Sequence, residues 1–433
     1  MADLDFPQGF IWGAATAAHQ VEGDNTNCDM WALEHATPSI FKEPSGAAQD
    51  QWARFDDDVA ILAALGLNAY RFGLEWARIE PEEGYFSRAA LAHYQRCIDA
   101  CLARGVTPVP TFQHFTLPLW QSKRGGFNDP KFSERFARYC EVTAGALKGF
   151  THACTLNELN IPLFIGHALK GLFDGDRGAA LKQAAEASIG GPISNVFFFT
   201  PPEAIIDQGM KAHQRGRDAI KAVHPGCEVG LTLSIAEHQA EPGGESFVEK
   251  RCAYLYDQFL DQLRGDDFIG VQTYTRMIMD ATGRLKVAAD RPRTQMGWED
   301  RPEALAATVR YVWDRTKTPV FVTENGWAGH NDERRSAFIR EALTALKAEI
   351  DAGANVRGYL YWSLLDNFEW MSGFDPRFGL IGVDRQTQRR EIRASAVALG
   401  EIARRNSLAI PTPQDVAPSS YNQNKEGAQV GLG

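Results

Sequence analysis

The 433-residue sequence holds no cysteine pair at metal or disulfide spacing. Its seven cysteines stand at 28, 97, 101, 140, 154, 227 and 252, without a CxxC. Cys97 and Cys101 are four apart in a helical stretch, and no histidine or second pair completes a zinc site. Buried free thiols in a reducing compartment are the expectation. Positive charge is also short. Lys+Arg number 45 against 55 Asp+Glu, for a net charge of −10 and an isoelectric point near 5.6. That balance argues against a nucleic-acid partner and against an anionic membrane surface. No apolar run approaches the roughly 18 residues of a membrane-crossing helix. The opening MADLDFPQGF carries neither the basic nor the apolar region of a secretory leader, so a cytoplasmic protein is expected. FIWGAATAAH is not the GxGxxG of a dinucleotide fold, and neither a P-loop nor a GxSxG elbow is present. No metal or cofactor is expected.

What is present is an ordinary globular composition, 44% hydrophobic and 23% charged. Short β-rich runs alternate with helical patterns. The strands are expected at Phe10–Ala15, Ala69–Trp76, Thr107–Gln113, His152–Leu156, Glu228–Ser234, Phe268–Tyr274, Val320–Thr323 and Val356–Trp362. Helices are expected between them, among them Asp56–Leu65 with its acids in the first turn, Asp332–Ile350 and Arg389–Arg404. Strand–helix alternation means a parallel sheet, and eight units predict a single closed (β/α)8 barrel over residues 1–410. Residues 171–200 read as a long insertion on the face where barrel loops carry function. Residues 411–433, rich in Asn, Gln, Ser and Gly, read as a tail without a core.

Barrel chemistry sits at the C-terminal strand ends. Here those ends carry His19 and Gln20, Arg71 with Glu75 and Trp76, Gln113 and His114, Asn157 and Glu158, Gln272 and Tyr274, and Glu324 and Asn325. The last strand carries Trp362 and then Asp366 to Trp370. Two glutamates at different strand tips, ringed by amides, histidine, tyrosine and tryptophan, point to carbohydrate chemistry. Breaking a glycosidic bond needs an acid for the leaving oxygen and a carboxylate for the anomeric carbon. Amides and acids suit hydroxyls that both donate and accept.

The chain resembles glycoside hydrolase family 1, the retaining β-glycosidases. FIWGAATAAHQVEG, AYRFGLEWARIEP, TFQHFTLPLW, TLNELN, FIGVQTY, MGWE, FVTENGW and VRGYLYWSLLDNFEWMSGFDPRFGLIGVD are similar to the family's motifs and follow in its order. The resemblance covers about Phe6 to Arg404. It implies Glu324 as nucleophile, Glu158 as acid/base, and Arg71 and Tyr274 as supports of the nucleophile. It further implies sugar contacts from Gln20, His114, Asn157, Gln272, Tyr274, Trp362, Glu369, Trp370 and Phe378. Asn157 would reach the 2-hydroxyl and Trp362 would form the ring platform. Glu369, read as an acceptor-only anion, would share hydroxyls three, four and six with Gln20. With Arg71 and Tyr274 beside it, Glu324 is expected to ionise readily, and its charge to keep Glu158 protonated.

Four positions depart from the family pattern: Phe115 replaces Trp, Leu159 replaces Pro, Gln272 replaces Asn and Thr273 replaces Tyr. The resemblance implies an exo-acting retaining β-glucosidase, with β-galactosides and β-fucosides as further substrates. A 6-phosphate would meet Glu369, and no Lys-x-Tyr motif follows Gly373. The alternatives are an inactive sugar-binding barrel and an endo-acting glycanase. The partner is a small glycoside, with no nucleic acid or membrane. His35, His93, His213 and His224 read as structural. Asp56 to Asp58 read as a helix start, Phe197 to Phe199 as an aglycone wall or, slightly favoured, the anchor of the insertion, and Trp76 and Phe378 as core or contact equally.

Overall fold

The computed structural model describes residues 4–286 and 290–409. The tail expected from 411 onward lies outside the described residues. Eight parallel strands form a closed barrel: β1 (Ile11–Ala15), β2 (Ala69–Gly73), β3 (Thr107–Gln113), β4 (His152–Leu156), β5 (Glu228–Ser234), β6 (Phe268–Thr273), β7 (Val320–Asn325) and β8 (Val356–Trp362). Each strand pairs with its neighbours in sequence. The ring closes where Ile11 pairs with Gly358 and Gly13 with Ala69. A Cβ on Gly13 would lie 2.2 Å from the Ala69 carbonyl oxygen, so only glycine lets these strands meet. Inside the barrel Ala69, Val109, Cys154, Phe268, Phe321 and Leu360 pack into one apolar plug, and a filled interior leaves the C-terminal mouth as the place for a site.

The outer helices are α1 (Gln51–Leu65), α2 (Arg88–Leu102), α3 (Phe132–Ala146), α4 (Met210–Val223), α5 (Glu245–Cys252), α6 (Ala304–Thr316), α7 (Asp332–Asp351) and α8 (Ala394–Arg405). Ser87 and Asn331 cap α2 and α7 by accepting from the amides of Ala90 and Arg334. The expected second strand, Ala69–Trp76, ends at Gly73, because Glu75 caps a short helix, Trp76–Ile79. Two expected helix starts are also displaced. Helix α1 begins at Gln51, so Asp56 to Asp58 lie inside it. Asp58 is buried and accepts from Arg390 at 2.8 Å. Arg390 is thereby held in a short strand, Arg390–Ile392, paired with Ile381–Val383, and α8 starts only at Ala394.

The insertion contains a helix, Gly175–Ile189, ending at the left-handed Gly190. Phe197 stacks on Phe115 at 5.2 Å, an anchor, but Phe198 meets Trp370 edge-on and lines the mouth, so the segment is wall as well as anchor. A three-stranded sheet formed by Glu237–Ala240, Arg276–Met279 and Leu285–Lys286 was not foreseen. All seven cysteines are free and buried. Among the described residues no helix is long and apolar enough to cross a membrane, and no cluster of three metal-ligating side chains occurs.

Candidate active site

One cavity of about 360 Å³ is lined by Gln20, His114, Glu158, Gln272, Tyr274, Glu324, Trp362, Glu369, Trp370 and Phe378. Arg71 and Asn157 are buried but do not line it. A second cavity of about 500 Å³, with Asn25, Trp52, Arg78 and His93 in its wall, contains none of these groups.

Glu324 sits near the end of β7, at a register shift against both flanking strands. Such a bulge re-aims the side chain that follows it. Its Oε1 accepts from Arg71 Nη1 at 2.7 Å and from Gln272 Nε2 at 2.9 Å, and its Oε2 accepts from Tyr274 OH at 2.5 Å. Burial raises its carboxyl above the ordinary range, while Arg71 and Tyr274 pull it back down. The expectation of ready ionisation omitted that burial. Glu158 follows β4 with φ +42, its amide donating to Thr232 Oγ1 at 3.1 Å. Burial, and then the charge of Glu324, push its carboxyl well above the usual range. The pair is therefore asymmetric. Two cationic or phenolic donors favour the charged form of Glu324, whereas Glu158 faces a like charge.

Behind this pair runs a fixed network. Asn157 Oδ1 accepts from Arg71 Nη2, from Gln272 Nε2 at 2.9 Å and from Thr232 Oγ1 at 3.1 Å. That fixes the amide, so Asn157 Nδ2 donates to His114 Nε2 at 3.1 Å. Burial, then Arg71, keep His114 neutral. Its hydrogen is thus on Nδ1, which has no protein partner. Gln20 Oε1 and Gln272 Oε1 are likewise unpartnered. These three atoms are one donor and two acceptors left free on residues that line the cavity.

Glu369 corrects the sequence reading. Burial and the charge of Glu324 raise its carboxyl to about 8, so near neutrality it is mostly protonated and can donate as well as accept. Gln20 Nε2 already donates to Asn367, to the Phe368 carbonyl and to Glu369, leaving Gln20 as an acceptor. Trp362 stacks with His114 at 5.6 Å, and Trp370, at φ +49, lies parallel to His19 at 5.7 Å. Phe378 meets Tyr274 edge-on at 5.9 Å. Trp76 is core, stacked on Tyr139 with its indole N–H on Glu80. His213 is structural, bound to Thr155 and Asp266; His224 donates to backbone, His93 stacks on Trp52, and His35 sits on Trp31.

Of the departures, Gln272 donates to both Glu324 and Asn157, Thr273 hydrogen-bonds to Thr308 at 2.7 Å, and Leu159 is buried. Sequence reasoning missed Thr111, which accepts from Arg71 Nε at 2.9 Å, as well as Thr232 and Ser234 on β5. The end of β5 carries no acid, amide or aromatic, so nothing drew attention to it.

The family model of glycosyl hydrolase family 1 matches residues 2–289 and 266–408. The chain belongs to this family. As a family 1 glycosyl hydrolase it is 32% identical to the thermostable beta-glucosidase B of Thermobispora bispora, over 94% of this chain and 92% of that one. The solved beta-glycosidase BGL167 superposes with a TM-score of 0.88 at 44% identity, covering 94% of this chain and 99% of that one. The beta-glycosidase from Pyrococcus horikoshii gives a TM-score of 0.82 at 32% identity, covering 94% and 97%. The family 1 barrel thus carries a buried, asymmetric carboxylate pair at its mouth, and the chain is a glycoside hydrolase.

Proposed function

We propose that this enzyme is an exo-acting, retaining β-glycosidase that cleaves terminal non-reducing β-D-glucosides, and also β-galactosides and β-fucosides, through a covalent glycosyl-enzyme. The observation that carries the reading is the asymmetry of the two carboxyls: Arg71, Gln272 and Tyr274 all donate to Glu324, while Glu158 is held protonated. Glu324 attacks the anomeric carbon as the leaving oxygen takes the proton of Glu158. Ester formation removes the charge of Glu324, which lowers the proton affinity of Glu158. Glu158 then takes a proton from the water that attacks the anomeric carbon and releases Glu324. Glu369 and Gln20 serve hydroxyls three, four and six, Trp362 and Trp370 flank the ring, and Phe378 stands near carbon six. No Lys or Arg lines the cavity among the described residues. A 6-phosphate would therefore lie uncompensated near Glu324, and such substrates fall outside the range.

Residues 1–410 act as one catalytic unit, and the unpaired thiols support a cytoplasmic setting. A 2-fluoro-β-glucoside should label the peptide containing Glu324, and E324Q should lose at least about 1,000-fold in kcat on an aryl β-glucoside while keeping its circular dichroism. Labelling at another residue, or an inverted first product by NMR, overturns the assignment.

A further inference from the structure

The polar atoms of the cavity are unevenly distributed. The unpartnered ones, Gln20 Oε1, His114 Nδ1 and Gln272 Oε1, all belong to the inner residues around Glu324. Beside Glu158, on the side from which a leaving group receives its proton, the wall is built differently. Ile161, Phe164 and Ile165 come from the helix that starts three residues after Glu158. Ile235 and Met277 come from the segments after β5 and β6. Of the hydroxyls nearby, that of Thr275 is already used. Thr275 Oγ1 donates to the Glu299 carbonyl at 3.0 Å.

We infer that the leaving group this enzyme selects is apolar, an alkyl or aryl aglycone, and not a second sugar. The inference rests on the proposed assignment of Glu158 as the proton donor. A sugar entering here would surrender several hydroxyl–water hydrogen bonds to a largely apolar wall that returns few of them, and such unmet polar groups oppose binding. An alkyl or aryl group leaves water for side chains that already exclude it. Each fully buried methylene is worth about fourfold in binding. Methionine adapts its shape, so Met277 admits aglycones of differing outline.

The test compares catalytic efficiency on methyl β-glucoside, n-octyl β-glucoside (below its micelle concentration) and cellobiose. The two alkyl alcohols are similarly poor leaving groups and the sugar hydroxyl is a better one, so leaving-group chemistry alone favours cellobiose. We expect kcat/KM for the octyl glucoside to exceed that for the methyl glucoside by about 50-fold or more, and that for cellobiose by at least tenfold. F164N and M277N should each reduce the octyl-to-methyl ratio by about fivefold or more. Cellobiose turned over as well as the octyl glucoside, or a ratio unmoved in both variants, overturns the apolar leaving-group site and leaves the glycosidase reading standing. No turnover of any of the three, nor of an aryl β-glucoside, overturns that reading and this inference together.

Discussion

At the scale of single residues, the site works by setting two similar carboxyls apart. Tyr274 contributes a phenol that burial and the neighbouring charges keep protonated, so it remains a donor to Glu324. Its hydrogen bond favours the charged form, so removing it raises the proton affinity of Glu324. In Tyr274→Phe the acidic limb of the kcat/KM–pH profile should therefore move to higher pH. A hydrogen bond to a charged group predicts a shift of about one pH unit. The alkaline limb, which reports the loss of the Glu158 proton, should move less. An acidic limb that stays in place would show that the phenol does not govern the nucleophile. The residues meeting at the mouth were legible because each closes a barrel strand or the loop after it. The state of Glu369 was not. A carboxylate reads as an anion in sequence, and only the fold reveals that it is buried within reach of the charge of Glu324.

At the scale of elements, the ends of β7 and β8 are locked to each other. Gly326, two residues past Glu324, lies so close to β8 that a Cβ there would stand 1.9 Å from the Trp362 carbonyl oxygen. The obstacle is backbone, so one strand end must move, carrying either Glu324 or Trp362 with it. Gly326→Ala should lower kcat/KM by about 100-fold, the cost of roughly an ångström of misplacement, with little change in circular dichroism. Retained activity would mean that the two ends are not rigidly coupled. Strand positions were readable because buried parallel strands are short apolar runs between turn residues. The starts of α1 and α8 were misread because the ion pair of Asp58 and Arg390 spans 332 residues, and no local pattern reports it. The same holds for the sheet joining Glu237–Ala240 to Arg276–Met279, whose partner strands are separated by α5 and β6.

At the scale of the whole molecule, the two ends of the barrel chain are fastened together. Asn406, in the left-handed conformation after α8, donates through Nδ2 to the carbonyls of Phe6 and Pro7 at 2.7 and 3.1 Å. Its Oδ1 accepts from the buried indole of Trp12 at 2.9 Å, and its backbone oxygen accepts from the amide of Phe6. Asn406→Ala strands that indole and places alanine where asparagine is favoured. It should cost roughly 2–3 kcal/mol in denaturant unfolding. Activity should stay within about twofold, because Asn406 touches no residue of the mouth. A variant of unchanged stability would show that the fastening is redundant.

Every native thiol lies beneath the surface, and burial lifts those of Cys28 and Cys140 well above their ordinary proton affinity. Alkylating reagents and maleimides attack exposed thiolates, so they find almost nothing to modify on the folded protein. A cysteine introduced at an exposed position such as Tyr85 would be the sole addressable handle on the molecule. The enzyme could then be tethered to a bead or given one fluorophore, with none of its own cysteines removed first.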